Sequence, residues 1–171
     1  CIPFSMITAH APAGYIGAQL LYRLKPATVS ARAWSLYGAA SGLLPDIDML
    51  WFYLVDHGHV HHHRYPTHWP LLWLLALVGA LHYWRKTRRP AAAVALLVAV
   101  NGMVHMFLDS IVGDIFWLMP WRDTPFSFFT VSARYQSWWL NFILHWSFLL
   151  ELALWAWAGA LFLRQRRRAH E

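Results

Sequence analysis

AAAVALLVAVNGMVHMFLDSIV, running from Ala91 to Val112, holds one imidazole and one carboxylate in an otherwise uncharged stretch. A helix needs about 20 predominantly apolar residues to cross a bilayer, so this run reads as a transmembrane helix. Working outward, three further apolar stretches have spanning character, at roughly 34–55, 69–84 and 139–163. A fifth, Ile7 to Tyr22, is short and interrupted by Pro12, Gly14 and Gly17, and reads as spanning or lying in the interface. The expected fold class is therefore all-α, a polytopic helical membrane protein. It has four to five transmembrane or membrane-embedded helices in one domain over residues 1–171.

Composition agrees. Apolar residues make up 58% of the 171-residue chain and charged residues 13%, where a soluble domain carries about 25% charge. Mean hydropathy is +0.35. Many of the 12 tryptophans lie near the ends of apolar runs, among them Trp34, Trp51, Trp69, Trp84, Trp117, Trp121, Trp138 and Trp139. That is where an apolar ring with one wet N–H belongs. The one cysteine, Cys1, excludes an intramolecular disulfide and a thiolate zinc cage. Met6 is a candidate natural start, and no cleavable signal peptide is visible.

A pI of about 9.9 invites a nucleic-acid reading, but the charge placement argues against it. Basic residues gather as Arg23/Lys25/Arg32, Arg85/Lys86/Arg88/Arg89 and Arg164/Arg166/Arg167/Arg168, each group abutting an apolar run. Such groups mark cytoplasmic loops and meet anionic headgroups. Loops 56–68 and 113–138, with only Arg64, Arg122 and Arg134, then face the other side. The C-terminus is cytoplasmic on this path. Loop 113–138, rich in aromatic and hydroxyl residues, is placed to fold over that face as a lid.

The chemistry concentrates at the same face. His105 and Asp109 are four apart, one turn along a helix face. They can share a cation, pair as ligand and orienting carboxylate, or staple two helices. Asp46 and Asp48 follow Pro45, which breaks or kinks a helix and frees a carbonyl. Segment 56–68 holds six of the eleven histidines; His57, His59, His61 and His62 look dispensable there. His10, Asp46/Asp48, His63/His68 and His105/Asp109/Asp114 all fall at the non-cytoplasmic ends of their segments, where chance would scatter them. Imidazole and carboxylate without thiolate suit Zn first, with Mn or Fe as alternatives, as one or two ions. His145 lies near the same face, His82 near a basic loop on the other, and Glu151 deeper in the last run.

These residues carry a resemblance. Thr8-Ala9-His10 with Gly14, Leu44-Pro45-Asp46-Ile47-Asp48, His63-Arg64-Tyr65-Pro66-Thr67-His68, the His105–Asp109 helix and Trp117-Leu118-Met119-Pro120 follow one another in order. In this the chain resembles the YdjM-type family of bacterial inner-membrane proteins, described as metal-dependent hydrolases and as LexA-binding. Trp69 departs from the small residue usual after Thr-His, and residues from Trp121 onward carry little of the pattern. The ligand types also look remotely like those of zinc-dependent phospholipase C. The resemblance implies a hydrolase in the inner membrane.

The leading expectation is a metal-dependent hydrolase of a lipid or lipid-linked phosphoester, with membrane lipids as its surroundings. His10, Asp46, His68, His105 and Asp109 are the expected metal ligands. Asp48 or His63 is a further ligand or the general base, and Arg64 holds a substrate phosphate. A non-enzymatic, metal-stabilised scaffold or regulatory protein is the alternative. A haem carrier using His105 and His145 would leave the acidic residues idle. A proton or ion path would want its carboxylates mid-bilayer.

Overall fold

The structure is a computed structural model that describes Met6 and residues 8–170. Cys1, which carries the cysteine reading, and Ile7, which opens the first apolar segment, lie outside the described residues. Among the described residues seven α-helices follow in order: α1 (His10–Leu20), α2 (Ala31–Gly42), α3 (Asp48–Leu54), α4 (Pro70–Thr87), α5 (Pro90–Val112), α6 (Trp138–Ile143) and α7 (Ser147–His170). Short 3-10 turns at Pro45–Ile47, His62–Arg64 and Pro66–His68 fill the loops that matter for the site. Among the described residues the one extended pairing is an isolated antiparallel bridge, Ile115 with Phe126.

The local chemistry sets these boundaries. Ser30 caps α2, its Oγ accepting from the N–H of Ala33 at 3.1 Å. Proline opens α4 and α5 at the first turn, where its missing N–H costs nothing. The stretch expected to span at 34–55 is not one helix. Pro45 has no N–H to give the carbonyl of Ser41, so α2 stops at Gly42, a 3-10 turn follows, and α3 starts afresh at Asp48. Helices α1 and α2 have 11 and 12 residues, about 16 and 18 Å at 1.5 Å per residue, short of a bilayer core. Among the described residues two helices are long and apolar enough to cross: α5 over Pro90–Val112, and α7 over Ser147–Arg167.

Helix α5 is central, packed against α1, α2 and α4, while α1 also packs on α2 and α7. Small residues let α1 and α2 meet backbone to backbone. A Cβ added at Gly42 would lie 2.2 Å from the carbonyl oxygen of His10, and one at Gly14 the same distance from that of Gly38. Asn101 of α5 closes this crossing, its Nδ2 within 3.2 Å of the Gly14 oxygen, 3.1 Å of the Gly38 oxygen and 2.7 Å of Ser41 Oγ. Trp34, expected at the interface, is instead fully buried and donates its indole N–H to the carbonyl of Ala18. An indole can sit inside when its N–H finds a partner there.

The hairpin-like path puts the ends in register. Helix α1 runs from His10 to the basic turn at Arg23, and α2 returns from Arg32 to Gly42. Helix α4 ends, and α5 begins, at Arg85–Arg89. Helix α7 runs alongside α1, with Glu151 at Thr8 and Gln165 at Tyr15. The basic clusters thus share one end of the bundle, and His10, Gly42, His68 and His105 come together at the other.

Candidate metal centre

At that end, ligand atoms of His10, Asp46, His105 and Asp109 lie within 4.8 Å of one another. His10 is the first residue of α1, and its ring stacks on His105 with centroids 3.7 Å apart. His10 Nε2 is 3.1 Å from Asp109 Oδ1, and His105 Nε2 is 3.1 Å from Asp109 Oδ2 and 3.5 Å from Asp46 Oδ1. A tetrahedral ion with bonds of about 2.1 Å holds its ligand atoms about 3.4 Å apart, so these spacings fit an ion. All but Asp46 are buried; Asp46, at 29% exposure, is the open edge.

Hydrogen bonds behind the rings decide which nitrogens face inward. His105 Nδ1 lies 2.7 Å from the carbonyl oxygen of Gly42, which can only accept. The proton is therefore on Nδ1, and Nε2 turns a lone pair into the cluster. His68 repeats the arrangement, its Nδ1 2.6 Å from the Asp48 carboxylate and its Nε2 3.3 Å from His105 Nε2. Two lone pairs cannot bond to each other; a proton or a cation must lie between them. Neither oxygen of Asp109 has a well-directed hydrogen bond, although the residue is buried. Such a carboxylate is costly without a cation. Orienting oxygens behind the rings are the usual setting of metal-ligating histidines.

A second group stands beside the first. His62, His63 and His68 are all buried, with ligand nitrogens within 4.8 Å of one another. His63 Nδ1 is 3.0 Å from the carbonyl oxygen of Asp114, and its Nε2 is 3.5 Å from Asp109 Oδ2. Burial pushes the His62 pKa down to about 4 and that of His63 well below the ordinary imidazole value. Burial works the same way on His68, but hydrogen bonds to Asp46 and Asp48 overcome it and raise its pKa.

The remaining expected residues separate clearly. Asp48 is buried behind His68, accepting from its ring and from the Thr67 hydroxyl. Arg64 is half-exposed, paired with Asp123 and lying over the Phe116 ring at 5.6 Å. Asp114 is exposed on its side-chain oxygen, which accepts from Ser127. His57, His59 and His82 are exposed. His145 belongs to a different pocket of about 400 Å³ with Arg134, Tyr135 and Asn141, and bonds Ser147. It does not join His105. Glu151 is buried and accepts from the backbone N–H and hydroxyl of Thr8, tying α7 to the turn before His10. Loop 113–138 packs back on α5, Phe128 and Phe129 donating to the carbonyls of Ser110 and Ile111.

Four contributors escaped the sequence reading. His62, set aside as dispensable, is buried in the second group. Asn101 was one uncharged amide in an apolar run, although a buried amide always needs partners. Trp73 packs against Gly102, where an added Cβ would meet its ring at 2.0 Å, and donates to the carbonyl of Thr67. It thereby fixes the turn that carries His68. The Gly42 carbonyl has no signal of its own beyond Pro45.

No curated protein and no solved structure matches the chain. The family described as YdjM inner membrane protein matches residues 6–169, which include every member of both groups.

Proposed function

The chain belongs to the YdjM inner membrane protein family, and from that premise we propose that it is a membrane-embedded, metal-dependent hydrolase. The observation that carries this reading is the apposition of His68 Nε2 and His105 Nε2, each with its Nδ1 proton committed to an oxygen behind it. His10, Asp46, His68, His105 and Asp109 supply nitrogen and oxygen donors suited to Zn first, then Mn or Fe. A bound ion of this kind lowers the pKa of water and polarises a phosphoryl or acyl oxygen. Asp48 holds His68 in its tautomer, and Asp46 stands at the edge that substrate reaches. His63, held by the Asp114 carbonyl, stands beside the cluster as a further ligand or the proton acceptor. Arg64 exchanges Asp123 for a substrate phosphate.

The substrate we infer is a lipid or lipid-linked phosphoester. Leu72, Leu74, Leu75 and Val78 on α4, with Leu149, Leu152, Trp155 and Leu163 on α7, are exposed apolar side chains that meet lipid tails. Helices α1, α2 and α4 complete, with α5 and α7, the four to five membrane-embedded segments of a single domain. By the positive-inside rule the basic end is cytoplasmic and the cluster faces the opposite side.

The near-complete burial of the cluster favours one second reading, a structural ion tying α1, α2 and α5 together without turnover. A catalytic ion keeps an exchangeable position, whereas a structural one is closed. The test is metal content and phosphate release by detergent-purified protein, in mixed micelles of phosphatidic acid and other phosphoester lipids. Hydrolysis that needs bound metal and disappears in Asp46→Asn supports the enzyme. Stoichiometric metal with no turnover of any phosphoester transfers the ion to the scaffold role. Absence of metal after chelator-free purification defeats both.

A further inference from the structure

We propose that the centre holds two ions, the second bound by His62, His63 and His68, with the Asp109 carboxylate shared between them. The inference deepens the reading above and rests on it for the first ion. Two consecutive 3-10 turns, His62–Arg64 and Pro66–His68, fold the loop back so that three of its rings point inward. The turns are closed by Tyr65 N–H on the His62 carbonyl at 3.1 Å and His68 N–H on the Tyr65 carbonyl at 2.9 Å.

A histidine tract with only adventitious metal affinity keeps its rings in water, as His57 and His59 do here. His62, His63 and His68 are 5%, 0% and 0% exposed instead. His62 Nδ1 and His63 Nε2 are both buried without a hydrogen-bond partner, and native proteins rarely leave such atoms unsatisfied. Phe52 stands 5.9 Å from the His62 ring and offers it nothing polar. A cation between the three rings satisfies both nitrogens at once.

Asp109 links the two groups. Its Oδ2 lies 3.5 Å from His63 Nε2, 3.8 Å from His68 Nε2 and 3.1 Å from His105 Nε2, while Oδ1 faces His10 at 3.1 Å. With His68 given to the second ion, His10, Asp46, His105 and Asp109 still offer the first one four donors. Three imidazoles and one carboxylate oxygen form a donor set for zinc or manganese. A bridging carboxylate is what holds two like charges close.

The experiment strips the full-length protein with chelator in detergent, reloads it with Zn²⁺ and counts retained metal by elemental mass spectrometry. Wild type and His59→Ala are expected to keep two ions per chain, and His62→Ala and His62→Asn to keep one. Reloading with Mn²⁺ gives a second readout. A spin-coupled pair in wild type reduces to an isolated-ion spectrum in the His62 variants. Thermal unfolding of each metal-free variant shows that the loss is not misfolding. One ion in wild type, or two in both His62 variants, overturns the second site and leaves the single-ion reading standing. No retained ion in wild type overturns both.

Discussion

His105 donates its Nδ1 proton to the carbonyl oxygen of Gly42 at 2.7 Å, across the interface of α5 and α2. That carbonyl is available because α2 ends there. In a continued helix it would accept from Asp46, whose N–H turns instead to Leu43 in the 3-10 turn opened by Pro45. A helix break thus sets the tautomer of a ring.

Pro45→Ala is the direct test. Alanine restores the N–H and lets α2 run on, so Asp46 N–H competes with His105 for Gly42 and the Asp46 carboxylate swings along the helix. Losing an orienting partner typically costs 10–100-fold in metal affinity. About that loss is expected here by competition against a chromophoric chelator. Unchanged affinity would detach the break from the site.

Asp48→Asn tests the carboxylate behind His68. The amide keeps the shape but loses the charge that favours Nδ1–H facing Asp48. Zinc affinity is expected to fall about 10–100-fold, while Thr67→Val, which removes only the other donor to Asp48, has a smaller effect. If Asp48→Asn bound metal as wild type does, Asp48 would not orient the ring.

The α1–α2 crossing predicts a stability series. Gly42→Ala would place a methyl 2.2 Å from the His10 carbonyl, a backbone atom that cannot yield without separating the helices. Because His10 supplies a candidate ligand, Gly42→Ala is expected to lower both Tm and metal retention. Asn101→Leu removes the amide that bonds the Gly14 and Gly38 carbonyls across the crossing, at about 0.5–1.5 kcal/mol for each hydrogen bond lost, while Gly38 keeps the Ser41 hydroxyl. Gly159→Ala meets nothing within 4 Å and is expected to leave Tm unchanged in detergent.

What the sequence disclosed differs from residue to residue for physical reasons. The run Ala91–Val112 was legible because length and apolarity alone mark a helix long enough to span. His105 and Asp109 were legible as one face because four residues make about one turn. Gly14 read as an interruption of an apolar run, whereas with Gly38 and Gly42 it forms the contact surface of two short helices. Small residues help helices approach in apolar surroundings, and spacing alone did not reveal which partner they meet. His62 looks the same as His57, His59 and His61 in a one-dimensional string. Its burial comes from two 3-10 turns and from Phe52, which is a tertiary property.

The last prediction concerns acid and the metal-free protein. An imidazole whose folded pKa lies below its unfolded value of about 6.5 binds fewer protons when folded, so stability falls as pH drops from the unfolded value toward the folded one. For His62 that window runs from about 6.5 down to about 4, and His63 acts in the same direction with its pKa also depressed. His68 opposes them. Its raised folded pKa contributes stability that is fully present below about 6.5 and lost only as pH rises through the folded value. Below about 6.5 the His68 contribution is already in place, so the depressed rings set the slope there and make it positive. Metal-free wild type is therefore expected to lose Tm between pH 6.5 and 4.5. His62→Asn, with no proton to take up at that position, is expected to lose less over the same range. Exposed His59→Ala serves as the control and follows wild type. Equal acid slopes in wild type and His62→Asn would show that the His62 ring is already solvated, contrary to its burial beside His63 and His68.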